Sequence, residues 1–192
     1  MRHISAVALL VCVGALGTAI VAHADGPPNQ QATTTDTDAT ADAAPALGPS
    51  PRQAQRRIDR YRRVTWRWQR VMGTSLTRRL AHAPVDPHRR ILAWKREASR
   101  ASYRAHHPPH VHAWECIHRY EGSWTDPNPP YYGGLQMDLG FQETYGRWLF
   151  VRKGTADHWT PLEQMWVAEK ALRAGRGFYP WPLTARWCGL LG

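Results

Sequence analysis

Trp114-Glu-Cys-Ile-His-Arg-Tyr-Glu-Gly-Ser-Trp124, followed after a Pro-rich stretch by Tyr131-Tyr-Gly-Gly-Leu-Gln-Met137, is the part of this 192-residue chain from which the rest is best ordered. Trp114, Ile117 and Glu121 fall at i, i+3 and i+7 and so share a helical face, and Gly122 supplies the residue that commonly stops a helix. The spacing predicts a short helix that delivers Glu121 at its end, beside Tyr120 and Trp124. A carboxyl shielded from water by aromatic rings favours its protonated form, which is what a general acid needs. The Pro-rich turn from Asp126 to Pro130 leads into Tyr131 to Met137. There the glycines let backbone approach a ligand, while Tyr and Gln offer stacking faces and hydrogen bonds. Aromatic rings beside amide groups suit sugar rings.

The order Trp-x-Cys-Ile-x-x-x-Glu-Gly-x-Trp, then Asn-x-x-Tyr-Tyr-Gly-Gly-Leu-Gln, resembles the transglycosylase-like domain of actinobacterial resuscitation-promoting factors, whose fold is similar to a compact lysozyme. The resemblance runs over residues 114–192 and leaves residues 1–113 aside. It implies a mainly α (α+β) domain, Glu121 as the catalytic acid, and Tyr131, Tyr132 and Gln136 along a glycan cleft, with Trp124 grouped among the substrate-binding candidates. Two departures from the family are visible. Phe141-Gln142 stands where many relatives carry a Thr-Trp pair, which removes a polar contact to sugar and leaves a more apolar cleft. The two cysteines lie four residues upstream and four residues downstream of their places in the family pattern.

Residues 1–24 read as a secretory signal: Met1-Arg2-His3, an apolar run to Val21, then Ala22-His23-Ala24 as a small-x-small cleavage site. An uncleaved membrane anchor is the competing reading of this run. Residues 25–51 are rich in Ala, Thr, Asp and Pro without an aromatic residue, and predict a disordered linker. Its Thr and Pro content suits O-glycans on an exported protein.

Charge divides the rest of the chain. Residues 51–113 hold 16 Lys and Arg against 3 Asp and Glu, whereas residues 114–192 hold 8 against 8. The net charge of +10 therefore belongs to the middle segment, residues 52–105. Gln53 to Met72 spaces Ile58, Tyr61, Val64, Trp68 and Met72 at threes and fours, an amphipathic helix. A second helix from Arg90 to Arg104, with Ile91, Trp94 and Ala98 on one side, follows the helix-breaking Pro84 and Pro87. Together they predict a basic helical arm. Its arginines either simply solvate the helices, or adhere to an anionic partner: teichoic or other phosphate-bearing glycans of a cell envelope, or anionic lipid. Nucleic acid is not an expected partner, because an exported chain rarely meets it.

Residues 106–113 place four histidines beside two prolines. Without Cys or carboxylates at tetrahedral spacing they read as a linker and not as a zinc site, and neither a metal nor a cofactor is expected. Further on, Asp138 is an N-cap for a helix carrying Phe141, Tyr145, Trp148 and Leu149. Thr160-Pro161-Leu162-Glu163 forms a capping box with Pro at the first helical position. That helix should run to about Gly175, with Leu162, Met165, Trp166, Glu169 and Leu172 along one side. The tail from Phe178 to Leu191 should wrap back on the domain. Once Cys12 leaves with the signal, Cys116 and Cys188 are the remaining pair, and export favours a bridge worth roughly 4 kcal/mol in a domain small enough to need a staple.

A glycosidase normally uses two carboxylates. Asp126 reads as a turn residue, Asp138 as a helix cap and Glu163 as part of a capping box, so a mechanism with one carboxylate fits best. The expectation is a monomeric, secreted, cell-wall-remodelling enzyme that cleaves the N-acetylmuramic acid to N-acetylglucosamine bond of peptidoglycan. The reaction is either lytic transglycosylation or hydrolysis, with Glu121 as acid. The alternative is a non-catalytic wall-binding or resuscitation-signalling protein that keeps a lysozyme-like cleft.

Overall fold

The computed structural model describes residues 48–82 and 86–192, so the expected signal and nearly all of the expected linker lie outside it. The described chain is mainly helical, with two short strands. None of its helices is long and apolar enough to cross a membrane.

Helix α1 (Pro51–Met72) begins at the expected end of the linker. The Ser50 hydroxyl accepts from the backbone N–H of Gln53 (3.4 Å), and the Gln53 side chain accepts from the backbone N–H of Ser50 (3.0 Å), a capping box that satisfies two otherwise orphaned donors. Gly73 ends the helix in the left-handed region at φ 68. After a short turn of helix, α2 (Arg79–His82), Asp86 caps α3 (Pro87–Ala105), so Pro87 opens this helix and does not merely precede it. Ile91, Trp94 and Ala98 are buried as their spacing requires. Helices α1 and α3 pack as a parallel pair, start beside start and end beside end, joined by the long return through α2; near their starts Ala54, Ile58, Ile91 and Trp94 form a small core of their own, with Trp66 edge-on to Trp94 at 6.0 Å.

The C-terminal ends of both helices belong to a larger core. Val71, Met72, Ala101 and Ala105 pack in one cluster with Trp114, Ile117, Leu149, Met165, Trp166 and Trp181. The expected linker at 106–113 is accordingly short, because α4 (Val111–Glu121) starts within it. Its histidines diverge: His106 and His107 turn back to carbonyls of α3, and His110 reaches Glu169. Among the described residues no group of three or more side chains could hold a metal ion.

Strands β1 (Tyr131–Tyr132) and β2 (Met137–Asp138) pair antiparallel, Tyr131 with Asp138 and Tyr132 with Met137. The Asp138 carboxylate then accepts from the N–H of Phe141 (2.7 Å) and caps α5 (Leu139–Lys153). The most buried line of α5 is Gln142, Gly146 and Leu149, with Phe141, Tyr145 and Trp148 half-buried beside it. Gly146 is required there, since a Cβ would sit 2.5 Å from the Trp159 ring.

The expected capping box opens α6 (Pro161–Ala171), and a π turn carries the chain on to Arg176. Every residue from Glu163 to Ala171 except Lys170 is buried, so the helix is enclosed all round and not on one side. The α1/α3 pair supplies the extra cover. Arg67 donates to Glu163 Oε1 (3.2 Å), Trp166 Nε1 donates to the carbonyl of Ala105 (2.8 Å), and Arg173 donates to the carbonyl of Met72. The tail wraps back as expected, through α7 (Pro182–Trp187).

Lys170 sits at this seam, its chain pressed against Gly73. Burial first, and the neighbouring Arg173 second, bring its pKa down to about 8. Between that value and its ordinary one near 10.5 the unfolded chain holds a proton that the native chain has lost, so stability rises with pH across this window. Below it the native state carries the full cost of a buried ammonium. Lys170→Met is expected to stabilise the protein by roughly 2 kcal/mol at pH 7 and to flatten the rise toward pH 10, read from urea unfolding at several pH values. A variant less stable than the parent at pH 7 would show that the ammonium is not penalised.

Candidate active site

Glu121 is the last residue of α4. Trp114 and Ile117, both fully buried, fix the helix axially, and Gly122 ends it at φ 144 with its N–H on the carbonyl of His118 (3.1 Å). Cys116, one turn before Tyr120, is bridged to Cys188 just beyond α7, with 6.0 Å between their Cα atoms. The bridge fastens α4 to α7, and this brings Thr184 to the candidate acid. The Thr184 hydroxyl, 7% exposed, donates to Glu121 Oε1 at 2.7 Å, a much better bond than its 3.4 Å approach to the carbonyl of Trp181. Trp181 in turn donates from Nε1 to the carbonyl of Leu135 (2.6 Å), which clamps the start of α7 to the turn between the strands.

These elements enclose an open cleft of about 310 Å³, lined by Glu121, Tyr131, Gln136, the segment from Pro180 to Thr184, and Trp187. Tyr131 is 50% and Trp187 63% exposed, so both rings have a free surface. Gln136 holds an unusual positive φ of 45, fixed by its backbone N–H on the carbonyl of Gly133 (3.0 Å) and its Nε2 on Asp126 Oδ2 (2.9 Å). No protein donor reaches its Oε1 among the described residues.

Of the five substrate-contacting or catalytic candidates, the structure brings Glu121, Tyr131 and Gln136 to one cleft. Tyr132 packs against the main core, and Trp124 stacks on His118 with ring centroids 3.9 Å apart, and neither lines the cleft. Phe141 and Gln142, at the position of the Thr-Trp departure, also point elsewhere: Phe141 packs on Trp181, and buried Gln142 donates to the carbonyl of Met137. Sequence reasoning missed Thr184 and Trp187. Nothing local marks either, because only the bridge and the Trp181 clamp turn α7 toward Glu121.

The other carboxylates weighed as a second acid group are committed. Asp126 accepts from the N–H of Asn128 at Oδ1 (3.2 Å) and from Gln136 at Oδ2, and the Gln136 and Asn128 bonds hold its carboxyl below the ordinary range, hence ionised. Asp138 and Glu163 each cap a helix. Chemically, the cleft offers one carboxyl steadied by a hydroxyl, an amide and two aromatic faces.

The expected reason for Gly133 and Gly134, approach of a ligand, is replaced by close internal packing. A Cβ on Gly134 would lie 2.5 Å from the His118 ring and 2.7 Å from that of Trp124, and one on Gly133 would meet Gln164 at 2.6 Å. Gly134→Ala, at a position without left-handed backbone, is expected to cost about 2 kcal/mol through overpacking alone, measured by urea unfolding. An unchanged stability would return this glycine to the ligand. A scan of protein-family models and searches of curated proteins and of solved structures find no match to this chain, so its functional reading rests on the cleft itself.

Proposed function

We propose that this chain is a secreted, lysozyme-like enzyme that cleaves the N-acetylmuramic acid to N-acetylglucosamine bond of peptidoglycan with Glu121 as general acid. The observation that carries the reading is the pairing of Glu121 with Thr184 in a cleft flanked by Tyr131, Trp187 and Gln136. The rings suit the apolar faces of pyranoses, and the amide suits their hydroxyl or acetamido groups. With Oε1 engaged by Thr184, the proton of the acid form resides on Oε2. It passes to the glycosidic oxygen as the bond from the anomeric carbon to that oxygen breaks. The substrate's own acetamido oxygen can support the electron-poor anomeric carbon. Its 6-hydroxyl then attacks that carbon, returning a proton to Glu121 and closing a 1,6-anhydro ring. Such a route needs one carboxylate, in keeping with the structural duties of Asp126, Asp138 and Glu163.

Glu121→Gln keeps the shape of the side chain and removes the transferable proton. It is expected to lower the release of soluble fragments from purified peptidoglycan by at least about 100-fold with the melting temperature unchanged. Thr184→Val is expected to lower kcat about tenfold with little change in KM, and Thr184→Ser to restore most of it. Mass spectrometry of the fragments distinguishes 1,6-anhydro ends from the reducing ends that hydrolysis would leave. A folded parent chain that releases no fragments, or a Glu121→Gln variant that releases them as fast as the parent, overturns the assignment.

A further inference from the structure

The strongest unassigned feature lies on the outer face of the parallel α1/α3 pair, remote in sequence from Glu121 and independent of the reading given to that residue. Three adjoining hollows run across it. The first, about 330 Å³, is lined by Arg56, Arg57, Arg60 and Arg63 around Asp59. It shares Arg57 and Arg60 with a second of about 230 Å³, which reaches across to Lys95 and His88 on α3. That one shares Leu92 and Lys95 with a third, continued by Arg96. The result is an unbroken concave track with cations along both banks.

These cations are available. Asp59, the one carboxylate lining the three hollows, is already paired to Arg62 at 2.8 Å. Arg56, Arg57, Arg60, Arg63, Lys95 and Arg96 are all exposed, and none of them forms an ion pair with a described carboxylate. Holding six like charges on two packed helices is unfavourable unless counter-charge is recruited. Arg56, Arg60 and Arg63 recur once per helical turn, so the charge spacing along α1 is about 5.4 Å. A surface of this kind complements a strand whose anionic groups are separated by short neutral units.

We propose that this track binds a linear polyol phosphate chain, its phosphodiesters on the arginines and Lys95 and its carbon units over Tyr61 and Leu92. Insertion into an anionic membrane fits less well. The apolar faces of both helices are spent inside the protein, on Ala54, Ile58, Ile91 and Trp94, so no apolar stripe faces outward. Single-stranded nucleic acid also fits less well, because the track has one half-buried aromatic ring, Tyr61, and no series of stacking platforms.

The test uses the full chain and a synthetic glycerol phosphate oligomer of defined length, titrated at several salt concentrations. Arg57→Gln/Arg60→Gln/Lys95→Gln is expected to weaken binding about 30-fold at low salt and to lower the slope of log K against log salt by about 2, at about 0.7 per removed cation. Arg119→Gln/Arg147→Gln/Arg176→Gln removes the same charge from the other half of the chain and should bind within about twofold of the parent. Lys95→Glu alone, which leaves every α1 arginine in place, should reproduce part of the loss with an unchanged melting temperature. Equal losses from the two triple variants would reduce the effect to net charge and overturn the proposal. So would tighter binding, per phosphate, of anionic phospholipid vesicles or of oligothymidylate.

Discussion

Two carboxylates on α6 set the terms for the rest of the structure. Glu163 and Glu169 are 0% and 1% exposed, and an unpaired carboxylate in such a place would cost several kcal/mol. Burial alone would raise the pKa of Glu163. Lys153 at 2.6 Å, the N–H of Thr160 at 2.9 Å and Arg67 at 3.2 Å more than offset it, and hold the carboxyl below its ordinary range. A carboxylate depressed in this way stabilises the fold at pH above its unfolded value, near 4.3, and that contribution is lost as pH falls through the lower folded value. Glu169 accepts from Trp114 Nε1 (2.8 Å) and from the backbone N–H of His110 (2.9 Å). Helices α1, α4 and α5 are thus each pinned to α6 by a bond that a buried charge requires.

This accounts for the way the basic helix pair joins the fold. The sequence separates it from the C-terminal half by charge, 16 cations against 3 anions on one side and parity on the other. Charge, however, describes only the surface. The inner ends of α1 and α3 present Val71, Met72, Ala101 and Ala105, small or unbranched enough to seat against Trp166, and these residues carry no charge signal at all. The periodicity of α6 misled for the same reason. Its spacing predicts one buried side, through Leu162, Met165, Trp166, Glu169 and Leu172, whereas Arg67 of α1 also engages Glu163, and the carbonyls of Trp124, Ala156 and Trp159 take up Gln164.

Short-range signals were legible wherever the chemistry is short-range. Asp138, the Thr160-Pro161-Leu162-Glu163 box and the stop at Gly122 act within one helical turn, and each appears where the sequence places it. Glu121 and Cys116 lie on one short helix, and the bridge to Cys188 followed from pairing arithmetic. What the sequence did not disclose depends on long-range closure. Thr184 reaches Glu121 across 63 positions. The choice between Tyr131 and Tyr132 turns on the pleat: neighbours in a strand face opposite ways, so one ring meets the cleft and the other the core.

The cleft is suspended from α6 along two routes. Through Glu169 and Trp114 the helix fixes α4, and so the position of Glu121 at its end. Through Gln164, whose Nε2 donates to the carbonyls of Trp124 and Ala156 at 2.8 and 2.9 Å, it fixes the loop after α4. That loop packs Trp124 onto Gly134 and so sets the turn that carries Tyr131 and Gln136. The first route places Glu121, the proposed acid, and the second places Tyr131 and Gln136 beside it in the cleft. Both begin on one enclosed helix whose outer side is covered by the basic helix pair. A loosened seam at Arg67 or Met72 would therefore be felt at Glu121 and Gln136 together, because close-packed interiors pass displacement on and do not absorb it.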